Sequence, residues 1–345
     1  MKAMAVTAYG EPLRSLDVPE PEPTHGSALL EVLTCGVCYS DVKTARGQMP
    51  YSSELPLPHV GGHEVCGRVI KTDPPAALES GSVVVAYHVW PCRVCSRCKA
   101  GEDNLCLSPR AWLGFKTWGG FRERVVVPLD RLSQVPPSID PIHAASMTCG
   151  LGTGYRAVIG QGRVAPGSRV AVIGLGGVGI HAIQVARAAG ARCVGLDVSE
   201  PSLGAARDLG FDAWDNSDPE AGHRILSATD GEGVDVVIDC VGRETTIAQS
   251  EKIVRAGGRI VAVGYSLTSD FRVPSTRFVL EEVELVGSRY VRMDELQRAI
   301  RLVADKKVQM VIDDVRPLHA VNEVMTALEN GDVVGRAVLD VANDS

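Results

Sequence analysis

Residues 169–189 read RVAVIGLGGVGIHAIQVARAA. Arg169 to Ile173 is a short apolar, β-branched run that predicts a strand buried on both faces. Gly174-Leu175-Gly176-Gly177-Val178-Gly179 then breaks any regular element, and an Ala-rich stretch to Ala189 resumes at helical period. A strand, a glycine turn and a helix in that order form a cradle for a pyrophosphate. Gly174 permits the tight turn, Gly176 lets the backbone approach the anion, Gly179 lets helix and strand close up, and the helix N-terminus offers free N–H groups. Gly177 and Val178 complete the fingerprint.

Working outward, Arg192 to Leu196, Ser202 to Leu209, Val234 to Cys240, Arg259 to Val263 and Glu284 to Gly287 alternate strand-like and helix-like patterns. That alternation predicts a doubly wound parallel sheet of about six strands, a Rossmann architecture in the α/β class. Asp197 stands eighteen residues beyond Gly179, at the end of the second strand. A carboxylate there accepts hydrogen bonds from ribose hydroxyls and repels a 2′-phosphate, which points to NAD rather than NADP, and neither Val198 nor Ser199 supplies a compensating positive charge. Before residue 150 the texture differs: Ser27 to Leu33, Ser82 to Ala86 and Arg122 to Val127 are short strand-like runs broken by Pro and Gly. After about 293 come an amphipathic helix, Met293 to Ala304, a second helix, Ala320 to Glu329, and a last strand, Arg336 to Val341. The expected organisation is a β-rich domain of residues 1–150 with 294–345, and a nucleotide domain of residues 151–293.

Cys92, Cys95, Cys98 and Cys106 follow the spacing C-x2-C-x2-C-x7-C. Four thiolates that close in sequence converge tetrahedrally on one ion, the pattern of a closed structural zinc site in a lobe at about 90–110. Cys38, His63 and Cys149 are zinc-type ligands of a different kind, scattered along the chain as the ligands of an open catalytic site are. With 345 residues and 45% hydrophobic side chains, two domains can each bury a core. A net charge of -7 without a long basic run argues against nucleic acid as partner. No run of about 18 apolar residues predicts a membrane span, and MKAMAVTAYG at the start does not resemble an export signal, so the expectation is a cytoplasmic protein with reduced cysteines.

Thr34-Cys35-Gly36-Val37-Cys38-Tyr39-Ser40-Asp41, Gly62-His63-Glu64-Val65-Cys66-Gly67, the four-cysteine run, the Cys149-Gly-x-x-Thr153 element and the glycine fingerprint occur in one order. In this the chain resembles the zinc-dependent alcohol dehydrogenases of the medium-chain dehydrogenase/reductase superfamily. The resemblance implies a GroES-like catalytic domain beside the Rossmann domain, and two zinc ions per chain, one catalytic on Cys38, His63 and Cys149 and one structural. It implies that Ser40 takes the proton of the bound alcohol, that Asp41 orients the ligand histidine and that Glu64 lies behind the metal. It further implies cofactor contacts by Thr153, Val178, Val241 and Val263, and by Arg336 on the pyrophosphate. Cys35, Cys66, Cys193 and Cys240 read as packed thiols, and His59 and His88 as structural.

The expected reaction is reversible NAD-linked oxidation of an alcohol to an aldehyde or ketone. Tyr51, Leu57, Tyr87, His88, Trp90, Trp112 and Trp118 are the candidate pocket residues, a ring-rich set that favours an apolar or aromatic primary or secondary alcohol. A polyol or a specialised hydroxy metabolite, such as an acyl-thioester-linked one, is the alternative; a zinc-ribbon module or nucleotide-sensing scaffold is the alternative from another class. Self-association, as a tetramer or else a dimer, is expected through the strand near Val283 to Gly287. The chain departs from its relatives at Tyr39, where many carry a basic residue against the cofactor phosphate, at Lys43, where some end a proton relay with His, and at the turn residues Asp73 and Ser82. Substituting Tyr39→His is expected to tighten NAD binding, read as a lower dissociation constant in a titration; an unchanged constant would refute a phosphate role for position 39.

Overall fold

The computed structural model describes residues 1–73, 78–268 and 270–343. The strand Ser27–Val37 is buried almost throughout and organises the first unit, which comprises Met1–Cys149, Arg292–Ala304 and the chain from Ile312 onward. It pairs antiparallel with Glu64–Asp73 on one side and Arg336–Asp340 on the other, while Arg124–Pro128 pairs with its first half. The sheet runs Ile312–Pro317, Arg336–Asp340, Ser27–Val37, Glu64–Asp73, Val83–Ala86, Leu132–Gln134. Leu30, Val65, Val84, Phe121, Val125 and Leu339 meet in one apolar core. The C-terminal strand is thus part of the first unit's sheet, in register Ala337↔Val37 to Asp340↔Thr34.

Val89–Trp90 and Ala111–Trp112 pair antiparallel and pinch residues 91–110 into a separate loop. That pinch lets four cysteines of one short segment face one another. Arg131 ties the loop down through its bond to Asp103 Oδ2, 2.6 Å away.

The second unit, Gly150–Val291 with Asp305–Val311, is a parallel sheet in the order Asp212–Asp215, Arg192–Asp197, Arg169–Ile173, Val234–Asp239, Val254–Ala262, Glu284–Gly287. Helices Gly179–Ala188, Glu200–Asp208 and Glu244–Ile253 make crossovers between consecutive strands. Arg169–Ile173 has its sequence successor on one side and Val234–Asp239 on the other, so the strand order reverses at its C-terminal end. A reversal of this kind leaves a crevice outside the strand ends, and here it coincides with the glycine turn.

Boundaries differ from expectation where sequence pattern conceals pairing. The strand expected over Arg259 to Val263 begins at Val254, and its pairing jumps from Val234↔Val254 to Val236↔Arg259 across Gly257 and Gly258. The strand Asp212–Asp215 is short and polar at both ends, which suits a sheet edge and hides it from a search for apolar runs. Residues 305–311 pack with the second unit although they fall inside 294–345, the stretch expected in the first.

Candidate active site

Cys38 is the N-cap of helix Tyr39–Ala45, and Asp41 occupies that helix's third position. This capping arrangement, Asp41 Oδ2 accepting from Cys38 N–H at 2.9 Å, fixes the first candidate ligand. The other oxygen, Oδ1, accepts from Gly62 N–H at 3.1 Å and lies 3.2 Å from His63 Nδ1. Bonding at Nδ1 leaves His63 Nε2 turned toward Glu64 and the cysteines. Cys149, directly after the helical turn Ala145–Thr148, completes the group. One ligand atom each from Cys38, His63, Glu64 and Cys149 lie within 4.8 Å of one another, and all four residues are buried.

Two soft thiolates with an imidazole are a zinc donor set, and the mutual distances suit a single ion. The electrostatics show what such an ion would do. The Cys149 hydrogen bond and, further off, Arg336 hold Cys38 well below the ordinary thiol range against its burial, while Cys149 is pushed well above it. Two sulfurs sharing one proton is the unstable arrangement that a cation replaces. Burial opposes protonation of His63, but Asp41 outweighs it and holds the imidazole well above its usual value.

Glu64, expected behind the metal, offers an oxygen within the ligand group itself, 3.8 Å from His63 Nε2. Neither carboxylate oxygen accepts a hydrogen bond; burial raises its pKa, and Arg336 pulls the other way. Arg336, expected against a pyrophosphate, is 5% exposed, with Nη2 3.2 Å from Glu64 Oε1 and 3.6 Å from Cys149 Sγ. Sequence pattern gave no signal for this pairing across 272 positions. Ser40 Oγ lies 3.2 Å from Cys38 Sγ on the half-buried side of the helix, within reach of a group bound beside that sulfur.

The rings divide into two sets. Phe115, absent from the expected pocket residues, lies with its ring centroid 4.4 Å from that of His63, at 33°. His88 packs edge-on to His63 at 5.4 Å, and Tyr87 and Tyr51 extend the cluster. Trp112 joins through Tyr51, at 5.9 Å. Trp90 and Trp118 instead pack against the apolar core of the first unit, Trp118 beneath the Arg122 guanidinium, and Leu57 is exposed. The signal that could have found Phe115 is its place three residues beyond Trp112 in a loop already rich in rings.

In the lobe, Cys92 and Cys98 sulfurs stand 3.9 Å apart, Cys95 and Cys98 3.5 Å, and Cys95 and Cys106 4.0 Å. A zinc ion with sulfurs at about 2.3 Å in a tetrahedron requires separations of about 3.8 Å. Backbone N–H groups of Cys98 and Leu107 bring the Cys95 thiol down to about 6, whereas burial and the neighbouring cysteines push Cys98 up to about 12. Cys66 and Cys193 are pushed up to about 12 chiefly by burial, as packed thiols are.

In the second unit, a Cβ on Gly179 would lie 1.7 Å from Gly174 O, whereas one on Gly176 would meet nothing within 4 Å. The first position is closed by packing and the second open to a ligand, the division of labour a pyrophosphate cradle requires. Asp197 Oδ2 accepts from Leu175 N–H at 2.5 Å and Oδ1 from Ser199 N–H at 2.9 Å, which sets its carboxylate beside the glycine turn. Val178 is the N-cap of the following helix, and a Cβ on Gly174 would lie 2.7 Å from a methyl of Val241. Val263 N–H bonds Asp239 O, and Thr153 is buried in helix Gly150–Tyr155. Asp239 was not foreseen: fully buried at a strand end, its Oδ1 accepts from Val241 N–H and Gly242 N–H, both at 2.8 Å, and shapes the loop that carries Val241.

Residues 24–137 match the alcohol dehydrogenase GroES-like domain, and residues 177–305 the zinc-binding dehydrogenase domain. The chain is 33% identical to the NAD-dependent alcohol dehydrogenase of Sulfurisphaera tokodaii over 98% of its own length and 99% of that protein's. It is 30% identical to an alcohol dehydrogenase of Geobacillus stearothermophilus over the full length of both. The crystal structure of the Aeropyrum pernix alcohol dehydrogenase superposes with a TM-score of 0.90 at 30% identity, over 99% of this chain and 100% of that one.

Elemental analysis of the purified protein is expected to return two zinc ions per chain. Cys95→Ser is expected to reduce that to one and to lower the melting temperature, since a structural ion contributes folding energy directly. Retention of two ions in the variant would remove the lobe as a metal site.

Proposed function

The chain belongs to the zinc-dependent alcohol dehydrogenases of the medium-chain superfamily, and we propose from its ring-lined metal centre that it oxidises apolar or aromatic primary or secondary alcohols, reversibly, to aldehydes or ketones. It is an NAD-linked oxidoreductase that uses zinc. When bound, zinc polarises the alcohol oxygen as a Lewis acid and NAD accepts the hydride. Cys38, His63 and Cys149 hold the catalytic ion, and Cys92, Cys95, Cys98 and Cys106 the structural one. Asp41 keeps His63 in the tautomer that presents Nε2. Ser40 receives the hydroxyl proton, as its place beside Cys38 supports. The Arg336 guanidinium offsets the negative charge that Glu64 brings to the centre. Gly174, Gly176, Gly177, Val178 and Gly179 receive the pyrophosphate, Asp197 the ribose, and Thr153, Val241 and Val263 line the nicotinamide half. The first unit is the catalytic domain and the second the NAD domain.

The observation that carries the substrate class is the Phe115 ring against His63, with Tyr51 and Trp112 behind it. A wall of this kind rewards burial of apolar surface at about 25 cal/mol per Å2 and leaves the hydroxyls of a polyol without partners. The chain acts as a homo-oligomer, a tetramer before a dimer, by pairing the strand Glu284–Gly287. That strand ends the six-strand order, and Phe278, Val279 and Leu280 near it are exposed. No helix among the described residues is long and apolar enough to cross a membrane, and the unpaired thiols fit a reducing cytoplasm.

NADH formation should be measured across aliphatic, benzylic, secondary and polyhydroxylated alcohols, with NADP in parallel. Turnover of benzylic and apolar alcohols with NAD, and poor turnover of polyols, is expected; the reverse order would overturn the substrate class. Ser40→Ala should keep both zinc ions and lose roughly 100-fold in kcat. A variant with wild-type kcat would assign the proton elsewhere.

A further inference from the structure

Helix Gly179–Ala188 carries two fully buried polar side chains, His181 and Gln184, that neither the metal centre nor the glycine fingerprint uses. His181 Nδ1 lies 2.9 Å from Gly177 O, and its Nε2 lies 3.2 Å from Val311 N. A carbonyl can only accept and a backbone N–H only donate, so these partners place the ring's proton on Nδ1 and leave Nε2 as acceptor. One turn along, Gln184 Oε1 accepts from Gln309 N–H at 2.8 Å, and its Nε2 donates to Gln309 O at 2.9 Å and to Ile180 O at 3.0 Å. The two side chains together clasp residues 309–311 to the helix that follows the glycine turn.

The bond to Gly177 O has a consequence for the turn. In a planar trans peptide the carbonyl and the next N–H point in opposite directions. Holding Gly177 O toward the His181 ring therefore turns Val178 N–H away from it. Val178 is the N-cap of this helix, so its N–H is among the donors that a helix leaves free at its N-terminus for an anion. Without a fixed Gly177 carbonyl, a glycine-rich peptide of this kind samples other orientations at little cost.

We propose that His181 is a positioning residue for the dinucleotide: its Nδ1–H fixes the 177–178 peptide so that Val178 N–H faces the pyrophosphate, and its Nε2 anchors that orientation to the segment Asp305–Val311. The inference rests on the NAD reading above. His181 acts through the turn and touches no reacting atom.

Two amide substitutions separate its two bonds. The Asn side chain reaches the place of Nδ1 and the Gln side chain that of Nε2, so His181→Asn keeps the bond to Gly177 O and loses Val311, while His181→Gln does the opposite. Full-length zinc-loaded protein would be titrated with NADH by fluorescence, with zinc content, melting temperature and steady-state kinetics measured on the same samples. His181→Gln is expected to weaken NADH and raise KM for NAD about tenfold, the worth of one well-placed hydrogen bond, with kcat at saturating NAD unchanged. His181→Asn is expected to bind NADH like the wild type while amide exchange at Val311 quickens. Equal NADH affinity in His181→Gln and wild type would overturn the proposal, and so would equal weakening in both variants, which would assign the effect to the ring's packing. Wild-type protein that bound no NADH would remove the NAD reading itself and this inference with it.

Discussion

One buried carboxylate holds the candidate catalytic centre together. Asp41 is 2% exposed, yet each of its oxygens is engaged: Oδ2 by the backbone of Cys38, Oδ1 by the backbone of Gly62 and the ring of His63. It therefore couples two ligand-bearing segments that come from a helix start and a strand start. Taking a carboxylate out of water is costly, and a site like this offsets the cost only when every lone pair meets a donor. Loss of either backbone contact would leave a buried charge short of partners, so the spacing of Cys38 and His63 is set more by Asp41 than by the ligands themselves.

The two candidate metal centres differ in what surrounds their ligand atoms. In the lobe, four sulfurs face one another, and the Cys95 backbone N–H donates to Cys92 Sγ. Around Cys38 and His63 the shell is mixed, and it includes a carboxylate without hydrogen bonds and an arginine buried against it. The arginine sets a positive charge 3.2 Å from that carboxylate. An aromatic ring against the ligand histidine then dries one side of the centre, which strengthens every charge interaction there.

Much of this was legible in the amino-acid sequence, for reasons that differ from residue to residue. The four cysteines of the lobe lie so close together that spacing alone restricts their geometry, and the glycine turn announces itself because no other residue fits its packing against Gly174 O. The parallel sheet was readable from alternation, except where the register irregularity at Gly257–Gly258 and the polar edge strand Asp212–Asp215 broke the pattern. Arg336 beside Glu64 was not readable, since the pairing depends on a C-terminal strand returning to Ser27–Val37. Phe115 was passed over because a ring in a loop carries no periodic signal. Asp239 and His181 escaped for a related reason: each works through backbone groups, and only coordinates reveal which peptide a side chain holds.

The pinched loop that carries Cys92 to Cys106 also has a meaning for how the protein is made. Its four sulfurs close a ring of fifteen residues, a small entropic cost that a chain can meet before the surrounding domain is complete. The other centre draws Cys38 and Cys149 together across more than a hundred residues and leans on a strand from the far end of the chain. The lobe's sulfurs can therefore meet through one short segment, whereas Cys38, His63 and Cys149 come together only when the strand Arg336–Asp340 has paired with Ser27–Val37.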